Sequence, residues 1–239
     1  MVRRGLVGSR TDAARAVAEQ RVLVNGAVAD KVLRLVDPGD AVVLAGPPPR
    51  FVSRGGEKLD AALTQFGIEV TGRSALDVGA STGGFTDCLL QRGARHVIAL
   101  DVGHGQLHPK VRNDPRVTVL ERVNVRSVTS EMLDEAPTIT VTDVSFISLT
   151  KVIPVLAQLS APAGDLVLLV KPQFEAGRQE VAKTKGVITD PAIHERVRDE
   201  VAATLLLADC AVRAWADSPI TGADGNREFL VHATTGGPT

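Results

Sequence analysis

The sequence contains no tyrosine, one tryptophan and six phenylalanines, too few aromatics for a base-stacking platform on a sheet or barrel. If RNA is bound, phosphate charge and backbone shape must supply most of the affinity. Cysteine is scarce as well. Cys88 and Cys210 make no disulfide framework, so a reducing cytoplasm is the expected location. Of five histidines only His104 and His108 stand close together; that is no zinc pattern, and no metal is expected. No apolar run approaches the ~18–20 residues that span a bilayer, and no apolar stretch of signal-peptide length follows Met1-Val2-Arg3-Arg4-Gly5. A composition 44% hydrophobic and 23% charged excludes wholesale disorder.

Net charge is only −1, but it is unevenly placed. Residues 1–58 carry ten Lys/Arg against six Asp/Glu, and residues 59–239 carry 17 against 22. A basic head on an acidic body implies that a polyanion is gripped at the N-terminal end.

Gly46-Pro47-Pro48-Pro49 cannot continue a helix or donate to a central strand and reads as a stiff linker. The expected organisation is a small domain over 1–46, a linker over 47–56 and a main domain over 57–239. In the small domain Ser9 or Thr11 can cap a helix running through Ala13, Ala14, Val17 and Ala18. Val22-Leu23-Val24, Asn25-Gly26 and Ala27-Val28 form a hairpin signal, and Ala41–Leu44 a further strand. Beyond the linker, β-rich runs recur at Ala75–Val78, His96–Leu100, Val117–Leu120, Thr138–Thr142, Leu166–Val170, Val212–Ala216 and Phe229–His232. Helical patterns over 57–66, 84–92, 129–135, 149–160 and 191–208 separate most of them, which predicts a mostly parallel α/β sheet covered on both faces. The last two strands are joined by a turn over Ser218–Asn226 without a helix, so the sheet should end in an antiparallel hairpin.

The first strand of this sheet runs into Asp77-Val78-Gly79-Ala80-Ser81-Thr82-Gly83-Gly84-Phe85-Thr86. Glycines here let backbone approach a ligand beside a helix N-terminus. The next strand ends in Asp101, 22 residues after Gly79, where a carboxylate can hold ribose hydroxyls. Ser81 stands where the second glycine of a G-x-G-x-x-G motif belongs. A pyrophosphate needs that close approach and a phosphate-free nucleoside does not, which favours S-adenosylmethionine over NAD. Two more strands end in polar groups, Asp143-Val144-Ser145-Phe146-Ile147-Ser148-Leu149 and Lys171-Pro172-Gln173-Phe174-Glu175, facing the same crevice of an open α/β sheet.

With these motifs the sequence resembles the FtsJ-like 2'-O-ribose RNA methyltransferases, most closely the TlyA family. Ser9-Arg10, Val24-Asn25-Gly26, the Val52–Leu59 segment, Asp101–Leu107 and Arg112-Asn113-Asp114-Pro115 fit it as well. The resemblance implies a Rossmann-like class I methyltransferase with a seven-stranded sheet, preceded by a small α+β RNA-binding domain of the ribosomal-protein S-four type. It implies methylation of cytidine ribose in ribosomal RNA, with ribosomal subunits as partners; members also carry the name haemolysin. The family's Lys–Asp–Lys–Glu catalytic set falls on Lys58, Asp143, Lys171 and Glu228. Cofactor contacts fall on Asp77, the turn Gly79, Ala80, Ser81, Thr82, Gly83, Gly84 and Phe85, on Asp101 and Val102, and on Asn124 near the adenine. RNA contacts are expected from Arg3, Arg4, Ser9, Arg10, Arg21 and Arg54. A ribose hydroxyl must lose its proton as it accepts a methyl group. Lys171 can take that proton only in its uncharged form, which the positive charge of Lys58 favours.

Three departures stand out. Against that resemblance the N-terminal module is expected to fall short by part of a helix, Gln20 stands where the family usually has glycine, and Phe51 where its linker usually has tryptophan. Two other readings stay open: a methyltransferase acting on a small molecule, consistent with the acidic body, and a non-catalytic haemolysin or RNA-binding protein.

Overall fold

The structure, a computed structural model, describes residues 1–8, 10–222 and 224–236, with all side chains except those of Thr11 and Arg178. Ser9, expected as a helix cap and RNA contact, lies outside the described residues. The chain divides into two compact units, Met1–Arg50 and Phe51–Thr239, and the expected linker 47–56 straddles that division.

In the first unit, helix α1 (Arg10–Ala18) leads into strands β1 (Val22–Val24), β2 (Ala27–Val28) and β3 (Val42–Leu44). Asn25 and Gly26 both have positive φ, 51° and 83°, as a tight two-residue hairpin turn requires. The strands pair antiparallel in the order β2-β1-β3. Ala16, Val17, Val22, Val24 and Ala29 form a five-residue buried cluster, too small to hold a long loop down. Leu33 and Leu35 are 90% and 96% exposed.

The second unit runs α2 (Gly55–Phe66), β4 (Ser74–Val78), α3 (Gly84–Gln91), β5 (His96–Asp101), α4 (Pro109–Arg112), β6 (Val117–Glu121), β7 (Ile139–Thr142), α5 (Ile153–Leu159), β8 (Asp165–Val170), α6 (Pro172–Glu175), α7 (Arg178–Lys183), α8 (Pro191–Leu207), β9 (Cys210–Asp217) and β10 (Phe229–Thr235). Its sheet has the order β6-β5-β4-β7-β8-β10-β9. Strand β10 is antiparallel to both neighbours, β8 and β9, while the pairs among β4 to β8 are parallel.

Alternation of side chains along each strand splits the core in two. Ala75, Val97, Ala99, Ile139 and Val141 pack with Leu59, Leu63, Phe85 and Leu89 of α2 and α3 on one face. Leu76, Val78, Ile98 and Leu100 pack with Ile153, Leu156, Val197, Val201 and Leu205 of α5 and α8 on the other. Each fully buried leucine contributes about 1.5–3 kcal/mol, so the sheet is rigid and its strand ends are fixed points.

The segment before α2 is part of this core rather than a loose connection. Phe51 is 4% exposed, and a Cβ on Gly56 would fall 2.3 Å from its ring. The Val52 amide donates to Asp87 Oδ2 at 2.9 Å. Two helix expectations need correction. Over 129–135 there is only a single 3-10 turn, Ser130–Met132, because Pro137 drives the preceding residue out of helical geometry and leaves too few residues for a nucleus. The expected helix over 149–160 is a 3-10 turn, Leu149–Lys151, followed by α5.

Candidate active site

Parallel strands deliver their carboxyl ends to one edge, and the chemistry-bearing residues sit there. Gly79 follows β4, Asp101 ends β5, Asp143 follows β7 and Lys171 follows β8. Because β10 runs the other way, its start lies at that edge too: Phe229 is in register with Val170, so Glu228 and Lys171 flank one paired position. Lys58 comes from the first turn of α2.

These residues form two ion pairs. Lys58 Nζ lies 2.5 Å from Glu228 Oε2, with side chains only 10% and 2% exposed. Lys171 Nζ lies 2.5 Å from Asp143 Oδ1 and donates to Ser145 Oγ at 3.0 Å. All four line one cavity of about 390 Å³, together with Ser53, Arg54, Gly79, Ser81, Ser145 and Thr221.

A larger cleft of about 1090 Å³ adjoins it, walled by Asp101, Val102, Gln106, Asn124, Val125, Phe146, Ile147, Gln173 and Phe174. Gly79, Ser81, Asp143 and Ser145 line both spaces. Gly79 holds the partition. Its φ is +84°, and a Cβ there would fall 2.5 Å from the Asp143 carbonyl oxygen, so only glycine lets the two strand ends touch.

The residues expected to hold a cofactor divide among these spaces. Gly79 and Ser81 line both; Asp101, Val102 and Asn124 line the larger cleft; Ala80, Thr82, Gly84 and Phe85 line only the smaller cavity. Asp77 and Gly83 line neither. A Cβ on Gly83 would run into Leu107 and Val111, and Asp77 is fully buried. Asp77 Oδ2 accepts from Thr86 Oγ1 at 2.6 Å, while Oδ1 has no hydrogen-bond partner among the described residues. Burial, and then the charges of Asp143 and Asp101, push its carboxyl up to about 7 against the opposing Thr86 bond.

The Asp101 carboxylate accepts from the Ser81 amide at 2.8 Å and the Gly103 amide at 2.6 Å. With roughly four acceptor positions on a carboxylate, it keeps capacity for a ribose diol. Asn124 Oδ1 accepts from the Arg126 amide and so fixes the turn beneath Val125. Apolar walls from Val102, Val125, Phe146 and Ile147 can sandwich a purine. This donor set fits a phosphate-free nucleoside such as S-adenosylmethionine.

The expected RNA contacts differ in what they already do. Arg3 and Arg10 are exposed. Arg4 donates to the Asp37 and Asp40 carbonyls, and Arg21 to those of Ala45 and Pro47; both tie their own unit together. Arg54 lines the smaller cavity. Ser53, Ser145, Thr221, Gln106 and Phe174 also line these spaces, with no role assigned to them by the sequence motifs. All but Thr221 lie in motif segments quoted above, and that adjacency was the available signal. Glu175, from the Lys171 motif, instead supports the neighbouring turn, accepting from the Leu149 amide and Ser148 Oγ; burial pushes its carboxyl up.

A doubly covered sheet with one antiparallel strand, a glycine turn and two abutting clefts at its carboxyl edge defines a Rossmann-like methyltransferase. The chain belongs to the FtsJ-like methyltransferase family, whose model matches residues 51–235, and an S4 domain model matches residues 1–42. Over 239 residues it is 44% identical to the 16S/23S rRNA (cytidine-2'-O)-methyltransferase TlyA of Mycobacterium tuberculosis, with 98% of this chain and 88% of that protein covered. Hemolysin A of Brachyspira hyodysenteriae is 43% identical, with 95% of each covered. Among solved structures, one from Streptococcus thermophilus, provisionally named a hemolysin, superposes with a TM-score of 0.81 at 41% identity, covering 98% of this chain and 86% of that one. Magnesium protoporphyrin IX methyltransferase from Synechocystis shares the fold at a TM-score of 0.55 and 15% identity, covering 76% of this chain and 82% of that one. Among the described residues no helix is long and apolar enough to cross a membrane.

Proposed function

We propose that the chain methylates the 2'-hydroxyl of cytidine in ribosomal RNA, with S-adenosylmethionine as donor, on ribosomal subunits in the cytoplasm. The observation carrying this reading is that two lysine–carboxylate pairs line one cavity that shares Gly79, Ser81, Asp143 and Ser145 with the wall of the nucleoside cleft. The nature of the acceptor comes from the relatives' names and from the S4 domain.

S-adenosylmethionine, when bound, supplies an electrophilic methyl group. The chain's own residues handle the acceptor's proton and charge. Lys171 Nζ, set between Asp143 and Ser145, takes the 2'-hydroxyl proton in its uncharged form, and the Asp143 carboxylate then stabilises the ammonium that results. Lys58, held by Glu228, keeps a fixed positive charge where negative charge develops on the 2'-oxygen. A positioned base of this kind contributes roughly 10²–10⁴ in rate.

The test is methyl transfer from labelled cofactor to purified ribosomal subunits, with ribose methylation mapped on the RNA. Lys171→Ala should lower the rate by about 10²–10⁴ while S-adenosylhomocysteine still binds. Intact cofactor binding with no label in any RNA refutes the reading, and transfer to a small hydroxyl compound instead would install the alternative acceptor.

A further inference from the structure

Glu121 ends β6, in register with Asp101 at the end of β5. It does not line either cleft, and the mechanism above does not use it. Its side chain is only 13% exposed, and it gathers several partners. Oε1 accepts from the Gly105 amide at 2.9 Å and is ion-paired with Arg112; Oε2 lies 2.9 Å from His104 Nδ1. Burial works against the charge, but the Gly105 amide, His104 and Arg112 outweigh it and hold the carboxyl below its usual range.

All of these bonds converge on the loop between β5 and β6. Asp101 takes the Gly103 amide and Glu121 the Gly105 amide, so two carboxylates at neighbouring strand ends pin alternate glycines of one short loop. The Arg122 amide closes the far side by donating to the Gly103 carbonyl at 3.0 Å. On the cleft side Ser81 Oγ donates to Gln106 Oε1 at 3.3 Å, joining the loop to the glycine turn. Val102 and Gln106 of this loop are walls of the larger cleft. Two adjacent like charges carry a repulsive cost that a purely structural loop need not bear. The Arg112 charge offsets it only on the Glu121 side, leaving Asp101 its remaining acceptor capacity.

We infer that Glu121 is a positioning residue for the cofactor: it fixes the Val102–Gln106 loop, so that the wall of the nucleoside cleft and the Asp101 carboxylate stand ready before the ligand arrives. The inference rests on the reading of the larger cleft as the S-adenosylmethionine site.

Calorimetric titration of the full chain with S-adenosylhomocysteine tests it, using wild type, Glu121→Ala and Glu121→Gln. Losing the charge-assisted Gly105 amide bond together with the His104 and Arg112 partners predicts a Kd at least about tenfold higher for Glu121→Ala. Glu121→Gln keeps an acceptor for the Gly105 amide and should lose only about threefold. The KM for the donor should rise in step while kcat at saturating donor stays within about twofold, the signature of lost ground-state binding. Amide hydrogen exchange at Gly103 and Gly105 should accelerate in Glu121→Ala. A destabilised control, Leu205→Ala in the opposite core face, should lower Tm without moving Kd. If Glu121→Ala does not fold, Glu121→Gln and Arg112→Ala carry the test. A folded Glu121→Ala, or in its absence both substitutes, with a Kd within about 1.5-fold of wild type overturns the inference, whereas a wild type that binds no S-adenosylhomocysteine overturns the cofactor reading beneath it.

Discussion

The Lys58–Glu228 pair offers a way to separate what holds the fold from what runs the reaction. The two side chains are 10% and 2% exposed and 2.5 Å apart. Lys58→Met leaves the Glu228 carboxylate buried without its counter-charge, and breaking a buried pair from one side costs about 3–5 kcal/mol. For a chain of this size about 2–4 °C accompanies each kcal/mol, so Tm should fall by about 6–20 °C. The double variant Lys58→Met/Glu228→Gln removes both charges at similar volume, and such replacements are often neutral or stabilising. Its stability should return to within about 1 kcal/mol of wild type, yet methyl transfer should remain lost. Trp215, the one tryptophan, lies in β9, so urea unfolding followed by its fluorescence reports on the second unit alone. A double variant as unstable as the single, or a single variant within about 1 kcal/mol of wild type, would refute the reasoning.

Asp77 should make stability depend on pH in an unusual sense. Its folded carboxyl is pushed up to about 7 from 3.8, so between those limits the folded state holds a proton that the unfolded chain has released. Stability therefore falls as pH rises through this window, by up to about 4 kcal/mol. Asp77→Asn should match wild type near pH 4 and exceed it at pH 8 in urea titrations; parallel pH profiles would exclude the effect. Gln20 has φ +56°, a left-handed conformation costing a non-glycine residue roughly 1–2 kcal/mol. After the entropic cost of glycine, Gln20→Gly should gain about 0.5–1 kcal/mol in the first unit by hydrogen exchange. Replacing exposed Arg3 and Arg10 with alanine should flatten the salt dependence of RNA binding by about one logarithmic slope unit per residue; an unchanged slope would remove them from the RNA interface.

The strands of the second unit are readable from sequence because each is a short apolar run bounded by turn residues, and β4, β5 and β8 start or end within a residue of the expected limits. Short helices α4, α6 and α7 escape such reading, since four to six residues carry no periodicity. The position of β10 between β8 and β9 also comes from packing: Leu230 and Val231, both 0% exposed, need cover on two faces that an edge strand lacks. Lys58, Asp143, Lys171 and Glu228 come as a set from the family resemblance, whereas their arrangement as two ion pairs is visible only in the folded chain. Asp77, which the resemblance includes among the cofactor contacts, adjoins the glycine turn with its side chain fully buried. Arg4 and Arg21 look like phosphate ligands by charge alone; backbone carbonyls that only the folded chain brings close already occupy them.

At Gly79 the partition between the two chambers thins to backbone against backbone, with no Cβ between Gly79 and the Asp143 carbonyl. A donor analogue carrying a group bulkier than methyl would press straight into the acceptor's space, and enlarging either chamber at this point would displace the Asp143 peptide itself. The same thinness invites a tethered inhibitor: a nucleoside in one chamber, joined by a linker of a few atoms to a cationic or hydroxyl-bearing head in the other, could engage both at once.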